Sequence, residues 1–247
     1  MKSALQLRCV AVVPARYGSS RFPGKPLAIL AGKPLVQHVI ERAREAGVFD
    51  AVWVATDDER IAAAVRAGGG EAHLTRRDHT TGTGRVAELA ARLPPDAVVV
   101  NVQGDEPLVA PELLRQLVDC LQADVAIDMV TAAHLAADAA GFASPHVVKV
   151  VVDGCGGALY FSRAPIPHSL DGEGRYLRHI GVYGFRCHAL LRFVALPAGA
   201  LELREGLEQL RALENGMCVR VLLTPHESVG VDTPEDLKAV AKRLAGS

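Results

Sequence analysis

Cysteine is scarce and unordered in this chain. Cys9, Cys120, Cys155, Cys187 and Cys218 are scattered, odd in number and never spaced C-x-x-C, which argues against a disulfide framework and against a thiolate zinc site. The nine histidines form no H-E-x-x-H and no metal-spaced pair. Excess charge is missing too. With 27 basic and 28 acidic residues the formal net charge is -1, so no global field draws the chain to nucleic acid, and any anion site must be a local cluster. No apolar run approaches the ~20 residues of a membrane span, and Pro14 closes the first one too early for a secretory leader. Linkers, internal repeats and low-complexity segments are also absent. The expectation is a reduced, cytoplasmic protein with neither a membrane nor a nucleic-acid partner.

Apolar residues, by contrast, are plentiful. They make up 49% of 247 residues, enough for the core of one large α/β domain. The first half alternates short apolar runs (10–13, 51–55, 98–102) with helical patterns (59–67, 84–93, 111–121), and a short strand follows the GGG at 68–70. That rhythm predicts an α/β fold, a mainly parallel central sheet with helices on both faces. Its ligands would bind at the carboxyl ends of the strands, where the loops after Val13, Ala55 and Val102 converge. The second half changes rhythm: VVKVVVD, GCGG and ALYFS read as a hairpin, with a strand at 180–185, a helix at 200–214 and a strand at 219–223. The simplest organisation is one domain over 1–247, with a parallel α/β part at about 8–130 and a small β-rich lobe at about 145–200.

The most informative stretch is VAVVPARYGSSRFPGKPLAILAGKP, residues 10–34. A buried strand ends at a loop in which glycines and prolines are interleaved with Arg16, Arg21 and Lys25. Glycines let the backbone approach a bulky anion, and the cations supply charge-assisted bonds to phosphate oxygens. Two familiar loops are excluded. Five residues separate Gly18 from Gly24 where a Walker loop has four, Lys25 is followed by Pro26 and not by a hydroxyl residue, and no G-x-G-x-x-G occurs here.

Two acidic motifs stand out. VVVNVQGDEPLV (98–109) puts Asp105 at the end of a buried strand, placed either to cap a turn or to hold magnesium against phosphates. GVDTPEDL (230–237) puts Asp232 just before the last helix, where taken alone it reads as the N-cap. The Thr/Gly-rich LTRRDHTTGTGRVAE (74–88) could read a base or hold a phosphate with hydroxyls and backbone N–H groups. Asp57, in ATDDE, could simply cap the helix that follows it.

ARYGSSRFPGKPL, QGDEP and GVDTPEDL together resemble the sugar cytidylyltransferases, and most closely those acting on 3-deoxy-manno-octulosonate (Kdo). The resemblance covers nearly the whole chain and departs from the family pattern at 132–146, 167–176 and 198–202. It implies a Rossmann-like nucleotidyltransferase fold with a substrate and dimer lobe, CTP and Kdo as substrates, Mg2+ as cofactor and a homodimer. It carries over Lys25, Asp105 and Asp232 as catalytic residues, the two aspartates being the metal ligands. Arg16, Arg21, Lys25, Arg76, Gly82 and Arg85 become the nucleotide site. Gln103, Arg163, His179, Tyr183, Glu208 and Gln209 become the sugar site, with Arg163 clamping the sugar carboxylate. His179 could equally be a core histidine, and Glu208 a helix-face residue. The alternatives are a related acidic sugar (8-amino-Kdo, a sialic acid) or a nucleotide sensor without catalysis.

Overall fold

The computed structural model describes residues 6–18, 22–170 and 174–245. In chain order the first elements are β1 (Cys9–Ala15), β2 (Ile29–Leu30), β3 (Lys33–Pro34), α1 (Leu35–Glu45), β4 (Ala51–Thr56), α2 (Glu59–Ala67) and β5 (Glu71–Leu74). Then come α3 (Gly82–Ala90), β6 (Val98–Asn101), α4 (Pro111–Ala123), β7 (Met129–Ala136), α5 (Ala139–Ala143), β8 (Lys149–Val152) and β9 (Ala158–Ser162). The chain continues through β10 (Tyr176–Arg186), α6 (Cys187–Ala195), α7 (Ala200–Glu205), α8 (Leu210–Glu214), β11 (Val219–Leu223) and α9 (Pro234–Ala245).

One nine-stranded sheet organises the fold, along the order β11-β7-β10-β6-β1-β4-β5, and β2 and β3 pair apart from it. β1 is central and parallel to both β4 and β6, β4 is parallel to β5, and β7 to β11. Only β10 runs antiparallel on that path, against β6 and β7. Burial on both faces is written into β1. Val10 and Val12 point into one core with Val86, Leu89 and Phe193 of α3 and α6. Ala11 and Val13 point into the other, with Ile40 of α1 and Leu114 and Leu117 of α4. A run apolar at every position is what a doubly covered parallel strand requires. The expected α/β sheet with helices on both faces is therefore what the chain forms.

The β-rich part departs from the sequence reading in its attachment. β8 and β9 form the anticipated hairpin, in which Asp153 accepts the Cys155 and Gly157 amides across the GCGG turn, both at 2.8 Å. But β8 pairs with β10, which is itself a strand of the main sheet. The hairpin is thus an extension of the central sheet and shares its core, with Val150 and Phe161 inside it.

The helix expected at 200–214 is broken. Gly206 takes φ 63°, the left-handed conformation that ends α7, and both its N–H and that of Leu207 close on the Glu202 carbonyl. The break aims Glu208 back at α3. At the other end of the chain, Val231 and Val240 pack with Leu30 and Leu35 in a small third core. That packing lays α9 over the loop after β1 and brings its N-terminal approach to the ends of the central strands.

Candidate active site

The loop after β1 folds back on itself. Gly24 donates its N–H to the Tyr17 carbonyl at 2.9 Å and adopts φ 71°, where a Cβ would also sit 3.1 Å from the Tyr17 ring. Glycine is required there on both counts. The reversal starts a short 3-10 turn, Lys25–Leu27, and sends the Lys25 ammonium inward. It donates to Asp105 Oδ2 at 2.6 Å and to Asp232 Oδ1 at 3.4 Å. One cation thus bridges the two carboxylates singled out by the sequence, and its own side chain is only 13% exposed.

Backbone contacts hold that convergence. The turn after β6 closes through Glu106 N–H to the Gln103 carbonyl, 3.1 Å, and the Val231 N–H donates to the Asp105 carbonyl at 2.8 Å. Gly104 permits the close approach of this turn to β1, since a Cβ there would lie 2.7 Å from the Pro14 carbonyl oxygen. Asp232 does not cap α9. Thr233 and Asp236 do so reciprocally: Asp236 N–H donates to Thr233 Oγ1 at 3.2 Å, and Thr233 N–H to Asp236 Oδ2 at 2.8 Å. Its own N–H is also held by Asp236 Oδ2, at 3.0 Å, so the capping box orients Asp232 toward Lys25.

Around these groups lies a cavity of ≈ 290 Å³ lined by Arg16, Lys25, Gly82, Arg85, Gln103, Asp105 and Asp232, with residues 79–81 on one wall. Arg16 is exposed, whereas Arg85 is 3% exposed. The Arg85 guanidinium pairs with Asp57 at 3.2 Å and donates to Thr75 Oγ1 at 2.5 Å. Asp57 is therefore an ion-pair partner in the wall of the site, and the cap of α2 is its neighbour Asp58, which accepts the Arg60 N–H at 2.9 Å. Arg21 lies outside the described residues. Arg76 is not brought to this cavity. Its side chain is 69% exposed and lines an adjoining cavity of ≈ 400 Å³ that shares residues 79–81 with the first.

The residues assigned to the sugar separate into two groups. Gln103 lines the cavity. His179 and Tyr183 lie on one face of β10, rings 5.6 Å apart, with His179 Nε2 2.9 Å from Thr131 Oγ1. Burial pushes the His179 pKa down to about 3, so the ring is neutral, and it pushes the Tyr183 phenol up, with Glu208 adding to the effect. Glu208 accepts from Thr83 Oγ1 at 2.6 Å, while its buried Oε1 has no hydrogen-bond donor among the described residues and lies 3.9 Å from the Arg211 guanidinium. Gln209 is 4% exposed.

Arg163 stands apart. Its guanidinium donates to the backbone carbonyls of Glu205 at 2.8 Å, Pro145 at 2.9 Å and Gly206 at 3.4 Å, and it does not line the cavity. In this structure it ties the end of β9 to the break between α7 and α8. Three of the five N–H groups of its guanidinium are committed to the fold.

Several groups at the site escaped the sequence reading. Thr81 is the N-cap of α3, accepting Gly84 N–H at 3.0 Å; the T-G-T-G string before an apolar period was the available signal. His79 lines both cavities with Nε2 2.5 Å from Glu88 Oε2, a pairing that no spacing rule announces. Burial pushes the Glu106 carboxyl up to about 7; Asp105 and Asp232 add to that, while the Ser228 hydroxyl that donates to it and Arg178 oppose it.

A cationic loop after the first strand of a mainly parallel sheet, facing one carboxylate after β6 and another just before α9, is the site of a nucleotidyltransferase. The cytidylyltransferase family profile matches residues 10–221. A 3-deoxy-manno-octulosonate cytidylyltransferase of Syntrophobacter fumaroxidans is 52% identical, over 97% of this chain and 98% of its own length. That of Geobacter sulfurreducens is 49% identical, over 96% and 100%. A solved CMP:2-keto-3-deoxy-manno-octonic acid synthetase complexed with CTP superposes with a TM-score of 0.92 at 44% identity, covering 97% of this chain and 99% of that one. A 4-diphosphocytidyl-2C-methyl-D-erythritol synthase of Anaerococcus prevotii, at 14% identity and a TM-score of 0.63, shares the fold alone. The chain belongs to the 3-deoxy-manno-octulosonate cytidylyltransferase family.

Proposed function

We propose that this protein transfers CMP from CTP to the anomeric hydroxyl of Kdo, giving CMP-Kdo and pyrophosphate for lipopolysaccharide biosynthesis. The observation that carries the reading is the convergence of Lys25, Asp105 and Asp232 on one cavity in a chain half identical to Kdo cytidylyltransferases. The sugar oxygen forms a bond to the α-phosphorus as the bond to the pyrophosphate oxygen breaks, and the hydroxyl proton passes to solvent. Arg16 and Lys25 neutralise the triphosphate, and Arg85, fixed by Asp57 and Thr75, stiffens the wall. Catalysis of this kind is mostly orientation and charge stabilisation.

Two carboxylates reaching the same ammonium make a hard, anionic donor set that already holds one cation. That fits magnesium, which takes one or two protein carboxylates and completes its shell with water and substrate phosphates. Asp105 and Asp232 would hold the ion, which when bound offsets charge on the phosphates undergoing transfer. The sugar contacts are assigned to Gln103, His179, Tyr183, Glu208 and Gln209. Arg163 is left out because it does not line the cavity and three of its N–H groups hold backbone carbonyls.

The same family reading makes the protein a cytoplasmic homodimer, joined through the β-rich strands, where Leu135 and Leu159 are 66% and 61% exposed. Among the described residues no helix is long and apolar enough to cross a membrane. Sedimentation at twice the 26.2 kDa chain mass tests the dimer. For the reaction, Kdo, 8-amino-Kdo and a sialic acid are each incubated with CTP or ATP, and products are identified by mass spectrometry. CMP-Kdo from CTP and Kdo is the expected main product. A faster product from another sugar would reassign the acceptor, and equal use of ATP would overturn the base selectivity.

A further inference from the structure

Asn101 is a polar residue where the strand pattern calls for an apolar one. It ends the run Val98–Asn101, is 0% exposed, and lies opposite Tyr183 in the β6–β10 pairing. Burying an amide without partners is costly, so its bonds define what the residue does. Asn101 Nδ2 lies 3.4 Å from Thr83 Oγ1, and Asn101 Oδ1 lies 3.4 Å from Gln103 Nε2. Thr83 is 4% exposed and its hydroxyl is 2.6 Å from Glu208 Oε2.

The direction of this chain follows from its one unambiguous member. The Thr83 hydroxyl donates to Glu208 Oε2, so its own oxygen is left to accept. It accepts from Nδ2, the only side-chain donor of Asn101. Asn101 Oδ1 then faces Gln103 and requires its amide nitrogen. Gln103 Oε1 is thereby turned to the side of Gly82, a cavity-lining residue from whose ideal Cβ position it is 3.9 Å distant.

We propose that Asn101 and Thr83 are positioning residues: a one-directional chain from Glu208, buried at Thr83 and Asn101, fixes the Gln103 amide with its carbonyl oxygen toward the cavity, as an acceptor for a hydroxyl of the sugar. The inference rests on the function proposed above and adds the residues that set its acceptor. A chain of buried hydrogen bonds favours a single arrangement, and here the arrangement selected is which end of an amide meets the substrate. Without the chain, Gln103 can present either NH2 or C=O, and the sugar loses a pre-set partner.

Thr83→Val keeps shape and removes the hydroxyl, Thr83→Ser keeps the hydroxyl, and Thr83→Ala is a second, smaller deletion should valine fail to fold. The expected result for the deletions is a KM for Kdo raised about 10-fold, with kcat and the KM for CTP unchanged and recovery in Thr83→Ser. In a Gln103→Ala background the valine substitution should add nothing, because the residue it acts through is gone. A wild-type KM for Kdo in both deletions overturns the proposal, as does a rise that persists in the Gln103→Ala background or that falls on CTP. A wild-type protein that makes no CMP-Kdo defeats the proposed function itself, a result separate from these.

Discussion

Replacing Gly104 by alanine would put a methyl group 2.7 Å from the Pro14 carbonyl oxygen, well short of the 3.4 Å at which ordinary van der Waals contact begins. The obstacle is backbone of the central strand, with no rotamer through which to yield, so the 103–106 turn must move by several tenths of an ångström. Overpacking of this kind costs about 1–3 kcal/mol, or ~2–12 °C in Tm for a chain of this size. The displaced turn carries Gln103 and Asp105 on either side of the substitution, and displacements on the order of 1 Å in a reacting assembly can cost ~100-fold in rate. The expected outcome is therefore a kcat lower by about 10–100-fold together with the fall in Tm. Gly154→Ala is the control, because nothing lies within 4 Å of its Cβ position and it sits in the β8–β9 turn. Thermal unfolding followed by circular dichroism and pyrophosphate release from CTP and Kdo measure the two effects. A Gly104→Ala protein with the Tm and kcat of the Gly154→Ala control would refute the claim that this close approach positions the site.

Asp232→Asn should cut kcat by at least ~100-fold, ~3 kcal/mol of transition-state stabilisation, with Tm unchanged, since Thr233 and Asp236 supply the cap. Thr233→Ala should instead lower stability by about 0.5–2 kcal/mol, as loss of an N-cap does; chemical denaturation separates the two. Arg163→Lys should lower Tm and leave both KM values unchanged, because lysine cannot span the carbonyls of Glu205, Pro145 and Gly206; a selective rise in the KM for Kdo would return Arg163 to the sugar site. His179 has its folded pKa depressed from 6.5 to about 3, so below pH 6.5 the unfolded chain takes a proton that the folded one refuses. Stability contributed by the neutral ring is thus lost as pH falls through that window, at up to ~1.4 kcal/mol per unit. His179→Gln should flatten the pH dependence of unfolding between pH 6 and 5, and an unchanged slope would show that the ring titrates normally.

Composition and period carried much of this structure because the relevant signals were local. The strand ahead of Pro14 is apolar at every position since both its faces are covered, and the cationic loop and both acidic motifs could be read at single positions. β7 was not legible: its Ala132 and Ala133, 0% exposed, are weak strand formers, placed by tertiary packing between β10 and β11. Helical periodicity carried straight through 200–214 because it cannot see that Gly206 takes a left-handed backbone. Asp57 and Asp58 are adjacent, and only the fold decides which caps α2 and which meets Arg85. Arg163 shows the same limit. A sequence displays a guanidinium, while its place depends on which acceptors the folded chain leaves within its reach.

The central claim is that Asp105, held against Lys25 and beside Asp232, acts on the transferring phosphate. The most direct measurement is the rate of pyrophosphate release at saturating CTP, Kdo and Mg2+ for the wild-type protein and Asp105→Asn, each checked for its thermal transition. The expected result is release by the wild type that requires Kdo and the divalent ion together, and a kcat at least ~100-fold lower in Asp105→Asn with the fold intact. Near wild-type turnover by a folded Asp105→Asn protein would contradict it and move the chemistry away from this cavity.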